Sequence, residues 1–281
     1  MKRLFAYLNR IPKSRDSVLV VVLLISTVIA LATYLVFMSD RLGSNLLLLA
    51  LAASAFYTVW LVVLYALQRK DRIRLSDLGI SARDTVKGVW AGFYIFIGVN
   101  LIFLALSLFT TKSVSISENF RSLEQVGRVV GTFIFSILAG AFIEEAIYRA
   151  YLIPQFFLRL KRQFKNSYTS LAIAVVGSQL LFALSHLPRE LFRAEAAQSM
   201  VSYSFLQLFM GGIIHAVVYL RTRNLIFVTL VHAFINFSLT VIETSASFRL
   251  FSLLVTVLIA LAWPILFPDK NKMLLRKLST K

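Results

Sequence analysis

Three clusters of polar residues interrupt an otherwise apolar chain, each at helical spacing. "EEAIYR" puts Glu144, Glu145 and Arg149 inside a stretch that reads as membrane-spanning. "FALSH" sets Phe182 four residues before His186, and "HAFIN" sets His232 four residues before Asn236. A charge at the centre of a spanning helix costs about 2.5–3.5 kcal/mol on insertion scales, so something must offset it. Glu145 and Arg149, at i and i+4, share a helical face and can pair. Glu144 is turned about 100° away and has no local partner. A carboxylate so placed can take a proton from water, and a histidine can share that proton and return it to a leaving amine. A second histidine and an asparagine amide can donate hydrogen bonds to a developing oxyanion. That set describes peptide hydrolysis without a covalent nucleophile.

Other hydrolytic chemistries lack their parts. The chain has no HExxH, no GxSxG, and no aspartate in a predicted span. It has no cysteine, which excludes disulfides, thiolate metal sites and thiol catalysis. A metal held by Glu144, His186 and His232 is chemically sound and ranks second; the first expectation is a site without a cofactor. The third histidine, His215, matches no such pairing and reads as a helix-bridging hydrogen bonder.

The elements that must hold these residues follow from composition. The chain has 281 residues, 58% hydrophobic and 15% charged, with a mean hydropathy of +0.78. Soluble domains carry about 25% charged residues, and the apolar residues here come in blocks long enough to span a bilayer. The reading is an all-α, polytopic integral membrane protein with about eight transmembrane helices. They fall near residues 17–38, 44–67, 87–110, 129–157, 168–187, 199–220, 225–243 and 248–267. No repeat or linker divides the chain, so residues 1–281 form a single membrane domain. Pro154 and Pro264 fall toward span ends, which argues against the broken helices of a transporter. The basic start is followed by apolar residues without a small-residue cleavage site, so the first block is expected to be a retained span.

Twenty-two Lys and Arg fall in alternate loops and the tail from Lys270, against seven in the others. By the positive-inside rule both termini are cytoplasmic, most simply in the plasma membrane of a bacterium. The net charge of +17 is spread between the apolar blocks, which suits contact with anionic headgroups of the lipid bilayer and no nucleic acid. The connection at 68–87, with "RIRLSDLGI", and the outer one at 188–198 either lie along the interface or are solvated. The charge count also sets His186 near the outer end of its span and Glu144 near mid-membrane.

These residues resemble a known family. "EEAIYR" fits EExxxR, "FALSH" fits FxxxH and "HAFIN" fits HxxxN, in order, as in the CAAX protease and bacteriocin-processing enzyme family, also called ABI proteins. "GGIIHAVVYLRTRNLIFVTLVHAFIN" is similar to the family's usual approach to its last motif, and "LSDLGI" to a segment that often precedes its core. The resemblance is strong over 125–240, the expected catalytic core, and weak over 68–125. It implies an eight-helix intramembrane glutamic protease. Glu144 and His186 would activate water, and His232 and Asn236 would stabilise the oxyanion. Glu145, Arg149 and Phe182 would support them. The implied substrate is a membrane-associated protein or peptide, processed as a CAAX tail or in bacteriocin maturation or immunity. Some relatives are scaffolds rather than enzymes.

Overall fold

The computed structural model describes residues 1–25, 27, 58, 61–65, 67–193 and 198–268. Most of the predicted spans 17–38 and 44–67, and the tail from Lys270, lie outside the described residues. Those described form helices joined by short connections, with a single isolated bridge between Ile116 and Ile242 and no strand. In chain order the helices used below are α1 (Lys2–Leu8), α2 (Asp16–Ile25), α3 (Ala82–Thr110), α4 (residues 123–160), α5 (Ser167–Arg193), α6 (Gln198–Thr222), α7 (Leu225–Asn236) and α8 (Phe248–Leu266).

Four stretches are long and apolar enough to cross a membrane: Leu75–Thr110, Ser167–Pro188, Val201–Thr222 and Phe248–Leu266. The expected eight are not reached among the described residues. Part of the reason is local. The stretch predicted as a span at 225–243 is helical only to Asn236, too short to cross about 30 Å of hydrocarbon.

The apolar surface is arranged for lipid. α3 buries Gly88, Ala91, Gly92, Ile95, Val99, Phe103 and Ser107, a stripe at steps of three and four. Its other faces leave Val89, Trp90, Phe93, Ile97, Leu101 and Leu108 exposed. In water that band would be a large uncovered apolar patch; in a bilayer it is the ordinary outer face.

Close helix approach depends on small residues. Gly88 and Gly92 form a GxxxG step against the start of α7. A Cβ at Gly88 would come within 2.7 Å of Asn224 Oδ1 and 2.9 Å of the Phe227 backbone nitrogen. Asn224 caps α7 through the Phe227 N–H (2.8 Å) and donates to the carbonyl of Asp84 (2.6 Å), which ties α7 to α3. The connection before α3 is a short 3-10 turn, Leu75–Leu78, ending at Gly79 with φ 80°. It is tucked under Arg223–Leu225, whose Leu225 N–H donates to the Gly79 carbonyl (3.3 Å). So "LSDLGI" packs on protein, with Leu78 buried.

α4 is the element that bears the double glutamate, and its winding is irregular. It runs as α-helix over Leu123–Ser136, widens to π over Ile137–Ala141, tightens over Phe142–Glu144, widens again over Glu145–Leu152 and returns to α-helix over Ile153–Leu160. Pro154 is therefore inside a continuous helical run, not at its end. Proline has no N–H and its ring crowds the carbonyl four residues back; a wider turn just before it relieves both. α5 likewise runs through Pro188 to Arg193. The predicted outer connection at 188–198 is thus helical over its first residues, and its residues 194–197 lie outside those described.

Candidate active site

Four helices bring the polar clusters together. α4 supplies Glu144, Glu145 and Arg149; α5 supplies Phe182 and His186; α6 supplies His215; α7 supplies His232.

The Glu145–Arg149 pair forms as its spacing suggests. Arg149 Nη1 lies 3.1 Å from Glu145 Oε1, and neither side chain has any exposed surface. Phe182 covers the guanidinium, whose carbon sits 4.1 Å from the ring centroid, a cation–π contact in a dry setting. The phenylalanine of "FALSH" thus touches the buried cation. It also packs on His186, ring centroids 4.6 Å apart.

Glu145 has a second neighbour that its own helix does not provide. His232 Nδ1 lies 2.7 Å from Glu145 Oε1. An ionised carboxylate only accepts, so the imidazole donates through Nδ1–H. Nε2 of the same ring then faces Glu144 Oε2 at 3.7 Å. His186 repeats the arrangement. Its Nδ1 lies 2.9 Å from the Phe182 carbonyl, which can only accept, and its Nε2 lies 3.6 Å from Glu144 Oε1. Both rings therefore have their Nδ1–H anchored and their Nε2 directed at one carboxylate.

The two glutamates occupy different environments. The Glu145 side chain is fully enclosed, while that of Glu144 is 29% exposed. The carboxylate without a local cation is the one that a molecule from outside can reach. His186 lies two residues before the end of the apolar stretch Ser167–Pro188, as its sequence position suggests, and its Nε2 still reaches Glu144 because the helix runs on to Arg193.

Asn236 is the last residue of α7, one turn beyond His232 and exposed. Among the described residues it makes no hydrogen bond to Glu144, His186 or His232.

His215, read from the sequence as a helix-bridging residue, does bridge α6 to α4, and it does so beside the site. It is buried, 3.3 Å from Glu145 Oε1 through Nδ1, with its ring centroid 5.0 Å from that of His232. Spacing within one helix could not reveal it, because its partners lie on α4 and α7. The usable signal was that it is one of only three histidines in the chain. Gln179 and Gly212 also adjoin the site without belonging to any of the three motifs. Gln179 is fully buried, and a Cβ on Gly212 would come within 2.8 Å of Gln179 Oε1 and 3.3 Å of Arg149 Nη2. Gln179 precedes Phe182 and His186 at helical steps, on the same face of α5, which its sequence position does signal.

Glu145, His215 and His232 offer ligand atoms within 4.8 Å of one another, a group able to surround a cation. The donor types suit zinc. The arrangement suits it less: Glu145 Oε1 already meets Arg149 and His232, and His232 Nδ1 carries the shared proton.

Residues 127–238 match the family model described as type II CAAX prenyl endopeptidase Rce1-like, over less than half of the chain. No curated protein and no solved structure matches the chain. The matched stretch contains all three motifs and every residue of the site just described. Residues 127–238, within a helical chain that carries four stretches apolar enough to cross a membrane, are thus similar to the Rce1-like type II CAAX prenyl endopeptidases.

Proposed function

We propose that the chain is an intramembrane endopeptidase that hydrolyses a CAAX-type or similar peptide bond of a membrane-associated substrate, with Glu144 activating the water. The observation that supports this reading is the convergence of His186 Nε2 and His232 Nε2 on a partly exposed Glu144, at 3.6 and 3.7 Å. A separate carboxylate, Glu145, meanwhile neutralises the buried arginine.

In this reading a water lies between Glu144 and the two rings. Glu144 takes one of its protons as the water oxygen attacks the scissile carbonyl carbon. His232, held by Glu145 through Nδ1–H, donates to the oxyanion from Nε2 once a proton from solvent has been taken up there. The Asn236 amide, free at the end of α7, adds a second donor once a substrate is seated. The proton taken by Glu144 passes through His186 Nε2 to the amine as the C–N bond breaks. Phe182 and Arg149 hold this array but do not touch the substrate.

The test is peptide-terminus profiling of membranes from cells that carry either the wild type or Glu144→Gln. Loss of a general base costs about 10²–10⁴-fold in rate, so termini produced by the wild type should vanish in the variant. Identical termini, with the variant present at normal level, would leave a scaffold or immunity role as the reading. Zinc found in stoichiometric amount, with activity lost to a chelator and restored by the metal, would favour a metal-dependent site.

A further inference from the structure

His215 is the buried titratable group that the proposed reaction leaves unused. It is 4% exposed, and among the described residues its ring nitrogens make no well-aligned hydrogen bond, the nearest polar atom being Glu145 Oε1 at 3.3 Å from Nδ1. Leucine would fill the same slot on α6 without enclosing two polar atoms, and enclosed polar groups are normally paired. The position therefore calls for a reason other than packing.

The reason lies in what surrounds Glu145. Its Oε1 meets three groups: Arg149 Nη1 at 3.1 Å, His232 Nδ1 at 2.7 Å and His215 Nδ1 at 3.3 Å. Its Oε2 has no hydrogen-bond partner among the described residues. A carboxylate held at one oxygen and free at the other can swing, and His232 would then lose the acceptor that keeps its proton on Nδ1. His215 approaches the held oxygen from α6, a different helix from the one that carries Arg149. Its ring also lies beside that of His232, with 35° between their planes.

We propose that His215 is a positioning residue: it fixes the Glu145 carboxylate against His232 and so keeps His232 Nδ1 protonated and Nε2 aimed at Glu144. The proposal rests on the peptide-hydrolysis reading for its consequence, but the positioning itself is a property of the resting protein. Groups that orient a metal-bound histidine are worth about 10–100-fold in activity, and an effect of the same order is expected for a histidine that works as a hydrogen-bond donor.

The experiment uses the full chain in lipid nanodiscs with nitrogen-15-labelled histidine. With three histidines in the chain, each imidazole can be assigned by single substitution. Long-range nitrogen–proton spectra distinguish the two tautomers. His215→Phe keeps a ring beside His232 but removes both nitrogens; His215→Gln restores a donor toward Glu145. His215→Leu serves if the phenylalanine variant does not fold. A prenylated CAAX peptide is the cleavage probe. In the wild type His232 should be found with Nδ1 protonated. In His215→Phe its signals should shift to a mixture of tautomers, kcat should fall about 10–100-fold with KM unchanged, and His215→Gln should recover most of both. An unaltered His232 spectrum in His215→Phe, even with a lowered melting temperature, overturns the proposal and leaves His215 a packing residue. Stoichiometric zinc in the wild type that His215→Phe loses also overturns it, in favour of a metal site. If the wild type does not cleave the peptide while His215→Phe still shifts the His232 tautomer, the positioning stands and the peptide-hydrolysis reading fails.

Discussion

At the scale of single residues, the buried pair and the accessible base should separate in experiment. Glu145 and Arg149 are both fully enclosed, so removing one leaves the other charged in a dry site. Breaking a buried pair from one side costs about 3–5 kcal/mol, whereas replacing both partners by apolar residues can be near neutral. Glu145→Ala should therefore lower the melting temperature strongly, and Glu145→Leu with Arg149→Met should regain much of it. Neither protein should cleave substrate, because His232 loses its acceptor in both. Glu144→Gln should do the reverse and abolish cleavage with little change in melting, since its carboxylate is partly exposed and makes no pair with a permanent cation. Thermal melting beside a cleavage assay checks all three. A double variant as unstable as Glu145→Ala alone would show that the pair itself, not the uncompensated arginine, matters for folding. The pair was legible because residues four apart on a helix meet whatever else the chain does. His215 was not legible, because its neighbours are fixed only by the packing of α4, α6 and α7.

At the scale of elements, the sequence shows where helices lie better than how they are wound. The apolar blocks correspond to α3, α5, α6 and α8. The two π segments of α4 depart from the 3.6-residue period by which a sequence is read; Pro154, toward the end of the predicted span, is the residue that signals them. Glycines let two kinds of helix contact be tested. Gly88 faces the Asn224 side chain and the Phe227 backbone at distances no Cβ can occupy without movement. Gly131, on the first segment of α4, has nothing among the described residues within 4 Å of an added Cβ. Gly88→Ala should push α3 from α7 and destabilise by about 1–3 kcal/mol, the usual cost of overpacking. Gly131→Ala should be neutral or stabilise by about 0.5–1 kcal/mol, through helix preference alone. Melting of the two variants in the same nanodisc provides the comparison, and equal losses would argue against close α3–α7 packing. Gly88→Ala should also depress cleavage, since α7 carries His232.

At the scale of the whole molecule, residues 1–16 act as a strap across the ends of several helices. Leu8 and Ile11 are buried against Ile153, Phe157, Leu171 and Ala216. Tyr7 donates to the Asp77 carbonyl (2.7 Å), and burial pushes its phenol up to about 12, so it stays protonated at any physiological pH. Ser14 joins Asp71 and accepts from Tyr151 (2.8 Å), while its N–H donates to Gln155 Oε1 (2.7 Å). Tyr151 and Gln155 lie just past Arg149 on α4, so the strap braces the helix that bears the site. Arg159 closes it, donating to Asp16 Oδ1 (2.7 Å) and to the Ser14 carbonyl (2.8 Å). The hydrogen bond and charge of Arg159 hold the Asp16 carboxyl below its usual range. A carboxyl lowered on folding stabilises above its unfolded value, and that contribution is lost as pH falls through the lowered one. Asp16 is exposed and its pair is screened by salt, so little is at stake. Asp16→Asn should leave melting unchanged at neutral pH and remove only a small acid-side dependence. Arg159→Ala should cost more, about 1.5–3 kcal/mol for a charged donor to a partly buried carbonyl. It should also expose residues 1–16 to limited proteolysis. Equal melting of the two variants would mean that the exposed ion pair, rather than the hydrogen bond to the Ser14 carbonyl, holds the strap.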